Sequence, residues 1–168
     1  MPPIIRELDP SDDLVQITSL IHAAYAPHAR SGLRYWGTHQ SPEDTAKRFA
    51  SGRGYLMLES GDCVGTVTLR PPQPNSAVNL YRDTTVWSIS QFCVSPNFKS
   101  RGYGRILHDY VMDVALSFGA KTLALDTARP AIALISKYES WGYKVVGACD
   151  WRPDTNYESV LMAKMLTT

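Results

Sequence analysis

The segment Val94–Leu107, VSPNFKSRGYGRIL, restricts what this chain can become more than any other stretch. The residues leading into it, Val86–Val94, are rich in apolar and β-branched types and read as a strand. The residues after it place Tyr103, Ile106, Leu107, Tyr110, Val111, Val114 and Phe118 on one stripe at helical spacing, and Gly119 is a stop signal. The spacing therefore predicts a strand, a short basic loop and a helix from Gly102 to Phe118. Such a junction suits phosphate. The first N–H groups of a helix have no intrahelical partner, and the helix dipole adds partial positive charge. Lys99, Arg101 and Arg105 add basic side chains, and Gly102 and Gly104 let a ligand approach the backbone closely.

The rest of the chain alternates strand and helix signals. Ile4–Glu7 reads as a strand. Ser11 or Asp12 is the expected cap of a helix from about Asp13 to Tyr25, with Leu14, Ile17, Ile21 and Ala24 on one face and Pro27 as its stop. Ser41-Pro42-Glu43-Asp44 opens a second helix that ends near Gly52. Tyr55–Glu59 and Cys63–Arg70 form a hairpin around Ser60-Gly61-Asp62. Pro71–Ser76 reads as a loop. Leu123–Asp126 is a short buried strand, and a helix follows at Ala131–Trp141 with Gly142 behind it. Lys144–Trp151 and Glu158–Leu166 close the chain as an antiparallel pair. The order strand, helix, strand in the second half implies that Val86–Val94 and Leu123–Asp126 run parallel. In the first of these, Trp87 and Ile89 share one face by alternation while Phe92 and Val94 fall on the other. A strand covered on both sides accounts for this, and the pattern alone favours it. A bulge near Ser90–Gln91 is the alternative.

Composition limits the function classes. A chain of 168 residues fits one domain, residues 1–168, with a sizeable core. The formal net charge of +1 gives no global attraction to nucleic acid or an anionic membrane. The 3 cysteines, Cys63, Cys93 and Cys149, follow neither a disulfide framework nor zinc spacing, so reduced thiols, a cytoplasmic location and no metal are expected. The N-terminus is not of targeting type, and no apolar run is long enough for a bilayer.

Three phosphate-binding patterns compete for the glycine loop. A P-loop ends in Gly-Lys-Ser/Thr, but Gly104 is followed by Arg105-Ile106. A dinucleotide fingerprint needs a third small residue where Leu107 stands, and a first glycine directly after its strand, whereas Gly102 comes eight residues after Val94. Asp126 does mimic that fold's ribose-binding acid. The third pattern fits. Val94-Ser95-Pro96 followed by Lys99-Ser100-Arg101-Gly102-Tyr103-Gly104 resembles the signature of the GNAT family of N-acetyltransferases, Gln/Arg-x-x-Gly-x-Gly/Ala after a strand ending in Val-x-Pro, with Lys99 at the Gln/Arg position. Ala131–Tyr143, with a Tyr four residues before a Gly-aromatic pair, is similar to the family's later helix, and Leu161–Leu166 to its last strand. The asparagine common before that helix is replaced by Ala128-Arg129-Pro130.

The resemblance implies an α+β fold: a mixed, mostly antiparallel twisted sheet with a central splayed parallel strand pair and helices on both faces. It implies acetyl-coenzyme A as co-substrate, no metal, and a small-molecule or peptide amine as acceptor, attacked in a ternary complex. Homodimers occur in the family, and the sequence leaves the oligomeric state open. Carried over by position, Phe92, Cys93 and Val94 line the pantetheine arm. Lys99, Ser100, Arg101, Gly102, Tyr103, Gly104 and Arg105 bind the pyrophosphate. A backbone N–H near Cys93 or Val94 steadies the oxyanion, and Tyr138 protonates the leaving thiolate. Cys93 as an acyl-carrying nucleophile is disfavoured, since no His stands at a partner position.

No acid occupies the start of the strand, where many members carry a Glu. Ser88 or Gln91 holding a relay water, or Asp83, Glu59, His39 or Asp126, are the options for a base. Tyr25, Tyr35, Trp36 and Trp151 are candidate walls of an amine pocket, and His28, Arg30 and Arg34 suggest an acidic group on the acceptor. A coenzyme A-binding sensor without catalysis, or an enzyme using another acyl donor, are the competing readings.

Overall fold

A computed structural model describes residues 2–166. Seven strands form one sheet in the order β1-β2-β3-β4-β5-β7-β6, with β1 at Ile4–Glu7, β2 at Arg53–Glu59, β3 at Asp62–Arg70, β4 at Val86–Val94, β5 at Thr122–Ala128, β6 at Lys144–Asp150 and β7 at Glu158–Met165. Every neighbouring pair is antiparallel except β4 and β5. Helix α1 (Leu14–Arg30) and α2 (Pro42–Ala50) cover one face, where Ile17, Ile21 and Phe49 pack on Leu56 of β2. Helix α4 (Tyr103–Ser117) and α5 (Ile132–Ser140) cover the other, where Leu107, Val111 and Tyr138 join Tyr55, Met57 and Ile89 in the largest core cluster. The alternation Tyr55-Leu56-Met57 feeds the two cores in turn. A one-turn helix, α3 (Asn79–Arg82), interrupts the loop between β3 and β4.

Two helix boundaries differ from the sequence reading. The cap of α1 is Asp13, whose side chain accepts from the N–H groups of Val15 and Gln16, whereas Asp12 turns back to pair with Arg6 at 2.7 Å. Pro27 lies inside α1, which continues to Arg30. A proline removes one N–H and crowds one carbonyl. Here it sits a turn from the end, where Ser31 N–H still reaches the Pro27 carbonyl at 3.2 Å.

The parallel pair opens like a wedge. Pairing of β4 with β5 runs from Val86–Thr122 to Ser88–Ala124 and goes no further, although both strands continue. Beyond Ser88, β4 keeps only its β3 neighbour. There the alternation defect proves to be a bulge, in a strand that is also covered on both sides. Thr68 pairs with Ser90 and Thr66 with Cys93, so β4 carries one extra residue over that step. Gln91 takes a φ of +49°, an uncommon conformation for a non-glycine residue. The extra residue resets the phase: Trp87, Ile89, Phe92 and Val94 all pack on the same core.

Candidate active site

The bulge is held in place by side chains. Removed from the ladder, the carbonyl of Gln91 accepts from Thr66 Oγ1 at 2.7 Å, and that of Phe92 accepts from Tyr25 Oη at 3.0 Å. The buried Gln91 amide is committed at both ends, accepting from Gln40 Nε2 at 2.6 Å and donating to Thr68 Oγ1 at 3.2 Å. Gln40 is itself fully buried and accepts from Arg48 Nη1 at 2.7 Å. Gln91 is thus an anchor of the bulge. Ser88 is buried within the paired part of β4.

At the C-terminal end of β4 the chain passes a 3-10 turn, Pro96–Phe98, and enters the glycine loop. Ser100 and Gly102 both have positive φ, +65° and +75°. Gly102 is the N-cap of α4, and no side chain caps that end. The first helical bond is Ile106 N–H to the Gly102 carbonyl at 3.1 Å. The N–H groups of Tyr103, Gly104 and Arg105 are therefore the free donors of the first turn. A Cβ on Gly102 would meet nothing within 4 Å, so the space above it is open. These features suit a pyrophosphate.

The side chains of the loop serve it in other ways. Tyr103 points inward, donates to Glu59 and stacks on Phe98 at 6.1 Å. Arg101 pairs with the same Glu59 carboxylate at 3.4 Å and lies over Phe98. Arg105 pairs with Asp109 at 3.1 Å and covers the Trp141 ring. Glu59 therefore braces the loop from β2 and is not placed as a base.

The wedge between β4 and β5 opens into a cavity of about 430 Å³. Ser90, Gln91 and Phe92 line one side and Leu125, Asp126 and Thr127 the other, with Tyr138 of α5 on the wall. Tyr138 is buried with its ring 6.5 Å from that of Phe92. Its hydroxyl makes no hydrogen bond to a described residue, and burial holds its pKa above the usual phenol value. Tyr143 lies in the core, its hydroxyl 2.8 Å from His108 Nε2. The Cys93 thiol meets Thr66 Oγ1 at 3.5 Å, and burial pushes its pKa up to about 12. That environment opposes thiolate formation.

Tyr25, Tyr35, Trp36 and Trp151 all reach this cavity. Tyr35 is clamped to β5, its hydroxyl sharing a 2.8 Å bond with Thr127 Oγ1 and accepting from Ala128 N–H. Of the proposed acids and bases, only Asp126 lines the cavity. Its carboxylate accepts from Tyr81 Oη at 2.5 Å and from Trp151 Nε1 at 3.0 Å. Asp83 is exposed and holds the Thr85 turn, and His39 stacks on Trp36 outside the cavity lining. The basic residues of the 28–34 segment also stand outside it. His28 packs on Tyr25 and Tyr35, and Arg34 donates to the Asp154 carbonyl at 2.7 Å. The cationic side chains on the cavity are Lys47, Arg48 and Arg70. Nothing in their spacing marks them in the sequence: two end a helix and one ends a strand. Among the described residues, no group of three or more His, Cys, Asp or Glu is placed to hold a metal, and no helix is long and apolar enough to cross a membrane.

Comparison with known proteins places this geometry. The chain is 29% identical over 143 residues to the S-(2-succino)cysteine N-acetyltransferase of Bacillus subtilis (strain 168), covering 82% of each chain. Its fold is similar to the ribosomal-protein-S18-alanine N-acetyltransferase of Escherichia coli, with a TM-score of 0.73 and 18% identity over 99% of this chain and 95% of that one. It is also similar to a GNAT family acetyltransferase from Elizabethkingia anophelis with acetyl-CoA bound, with a TM-score of 0.71 and 16% identity over 98% of each chain. Residues 16–143 match the family model described as the Acetyltransferase (GNAT) family. The chain therefore belongs to the GNAT acetyltransferase family, and the protein is an acyltransferase.

Proposed function

We propose that the chain works as one N-acetyltransferase domain, moving acetyl from acetyl-coenzyme A to a primary amine by direct attack in a ternary complex. The observation that carries this reading is the continuity of three features: the uncapped start of α4, the bulge of β4, and a cavity that begins where β4 and β5 part. The donors of Tyr103, Gly104 and Arg105 hold the pyrophosphate, with Lys99, Ser100, Arg101 and Gly102 shaping the loop. Phe92, Cys93 and Val94 flank the pantetheine arm, and an N–H from Cys93 or Val94 faces the thioester oxygen. Tyr25, Tyr35 and Trp36 wall the acceptor end. The Bacillus subtilis relative, named for S-(2-succino)cysteine, supports a small-molecule amine.

An amine of the lysine type has a pKa of about 10.4 and arrives protonated. Asp126 binds the ammonium group and takes its proton, directly or through water. The free amine nitrogen then bonds to the acetyl carbon, and the oxyanion collapses with cleavage of the C–S bond. Tyr138 stays protonated because burial raises its pKa, and it donates a hydrogen bond to the departing sulfur. A free thiol has a pKa of about 8.5, so complete transfer from a phenol is uphill. Tyr138 therefore acts most while charge builds on the sulfur. The amide nitrogen loses its second proton as the thiol gains one.

The test is release of free thiol from acetyl-coenzyme A over a panel of amines. Tyr138→Phe is expected to lower kcat by about a hundredfold with acetyl-coenzyme A affinity kept. Undiminished turnover removes Tyr138 as donor. Absence of thiol release with every acceptor class overturns the transfer reading in favour of a binding module.

A further inference from the structure

We infer that the acceptor carries a carboxylate beside its amine, and that Arg48 and Arg70 form the site that binds it. This rests on the proposed amine acceptor and specifies its chemical class. Both arginines line the cavity that also holds Asp126. Arg48 projects from the last turn of α2 and spends one donor on Gln40 Oε1 at 2.7 Å. Arg70 ends β3, reaches Gln73 Oε1 at 3.3 Å with Nη2, and has a buried Nε with no partner. Among the described residues, no Asp or Glu makes an ion pair with Arg48, Arg70 or Lys47.

Buried charge without a counterion is unfavourable unless something supplies one. Burial lowers the proton affinity of Arg48; the charge of Asp126 offsets part of this, and that of Arg70 adds to the lowering. An anion between the two relieves both effects. A guanidinium offers paired N–H donors that match a carboxylate. The two carboxylates on the cavity do not fill this role. Asp126 accepts from Tyr81 and Trp151, and among the described residues neither it nor Asp154 makes an ion pair with an arginine. The cavity thus sets two guanidinium groups without a carboxylate ion-pair partner and the Asp126 carboxylate on one volume, a layout for a zwitterion whose ammonium faces Asp126. Tyr35, Trp36 and Trp151 bound the remaining volume.

The experiment pairs α-amino acids (aspartate, glutamate, cysteine and phenylalanine) with their α-carboxamides as acceptors, read by thiol release. The expected result is that the acids exceed their amides in kcat/KM by about tenfold or more. Arg70→Gln, and separately Arg48→Lys, should raise KM for the acids at least ten times more than for the amides. Thermal melting and acetyl-coenzyme A affinity check that each variant is folded. Amides used as well as acids, or variants that weaken both members alike, overturn the inference. If no acceptor is turned over, the transfer reading fails by itself. The anion site is then decided by titrating glutamate and its α-carboxamide into the coenzyme A-loaded protein. Tighter binding of the acid that Arg70→Gln abolishes supports the site, and equal binding overturns it.

Discussion

Substitution at Gly102 separates backbone strain from loss of the anion site. Gly102 has a φ of +75° and caps α4, and a Cβ there meets nothing within 4 Å. Gly102→Ala therefore has no clash and carries only the left-handed penalty, about 1 kcal/mol. In a chain this long that lowers Tm by about 2–4 °C. It leaves the N–H groups of Tyr103, Gly104 and Arg105 open, so acetyl-coenzyme A affinity should change less than about threefold. Gly102→Glu carries the same backbone penalty. Its carboxylate, however, finds the free N–H groups and dipole of α4, which return about 0.3–1 kcal/mol of stability. The Glu variant should therefore melt no lower than the Ala variant. Its carboxylate occupies the donors that the pyrophosphate needs and repels the anion. The loss of one or two charge-assisted bonds corresponds to about a 30-fold weaker Kd or more. Calorimetric titration with acetyl-coenzyme A and thermal melts of both variants test this. A Glu variant that binds as tightly as the Ala variant refutes the assignment of this loop.

Three further outcomes follow from the site. Gln40→Leu leaves Arg48 Nη1 and Gln91 Oε1 without these partners in the interior; it should cost about 2 kcal/mol of stability and reduce kcat/KM through the loosened bulge, and a melt equal to wild type contradicts the anchoring role. Burial lowers the pKa of His28, His39 and His108 below the ordinary value. The unfolded chain therefore takes up these protons first as pH falls. Stability from this source is complete above about pH 6.5 and is lost as pH drops through that value toward the folded pKa values. Tm should fall from pH 7.5 to 5.5, and fall less in His108→Gln; a flat or rising profile opposes the assignment. The Cys93 thiol, with its pKa pushed up to about 12, should react with iodoacetamide at pH 8 about a thousandfold more slowly than an exposed thiol. Rapid labelling of the folded protein at Cys93, read by mass spectrometry, contradicts its buried state.

The sheet was legible because its strands alternate and its helices begin and end on residues with local effects. Ser41 caps α2 through a reciprocal bond with Asp44, and Gly119 and Gly142 take positive φ directly behind α4 and α5. The parallel pair followed from connection order alone. Pro27 misled because its helix-breaking effect depends on how many turns remain beyond it. The bulge was visible only as a phase defect, since the bond that fixes it, Gln40 to Gln91, spans 51 residues. The glycine loop was legible because its free donors belong to the backbone, which a spacing pattern can encode. The acceptor end was partly legible. Aromatic residues of the 25–36 segment do reach the cavity, but the cations there come from α2 and β3 and are united only by the fold. For the same reason Asp126 could not be separated from Asp83 or Glu59 in the sequence, and it is cavity exposure that separates them.

The proposed mechanism requires that acetyl-coenzyme A lie in the gap between β4 and β5. A crystal structure of the protein with acetyl-coenzyme A tests it directly. The pyrophosphate is expected within hydrogen-bond reach of the Tyr103, Gly104 and Arg105 N–H groups, and the thioester beside Phe92–Val94 with its sulfur facing Tyr138. A pyrophosphate bound away from the start of α4, or a thioester outside the wedge, would contradict it.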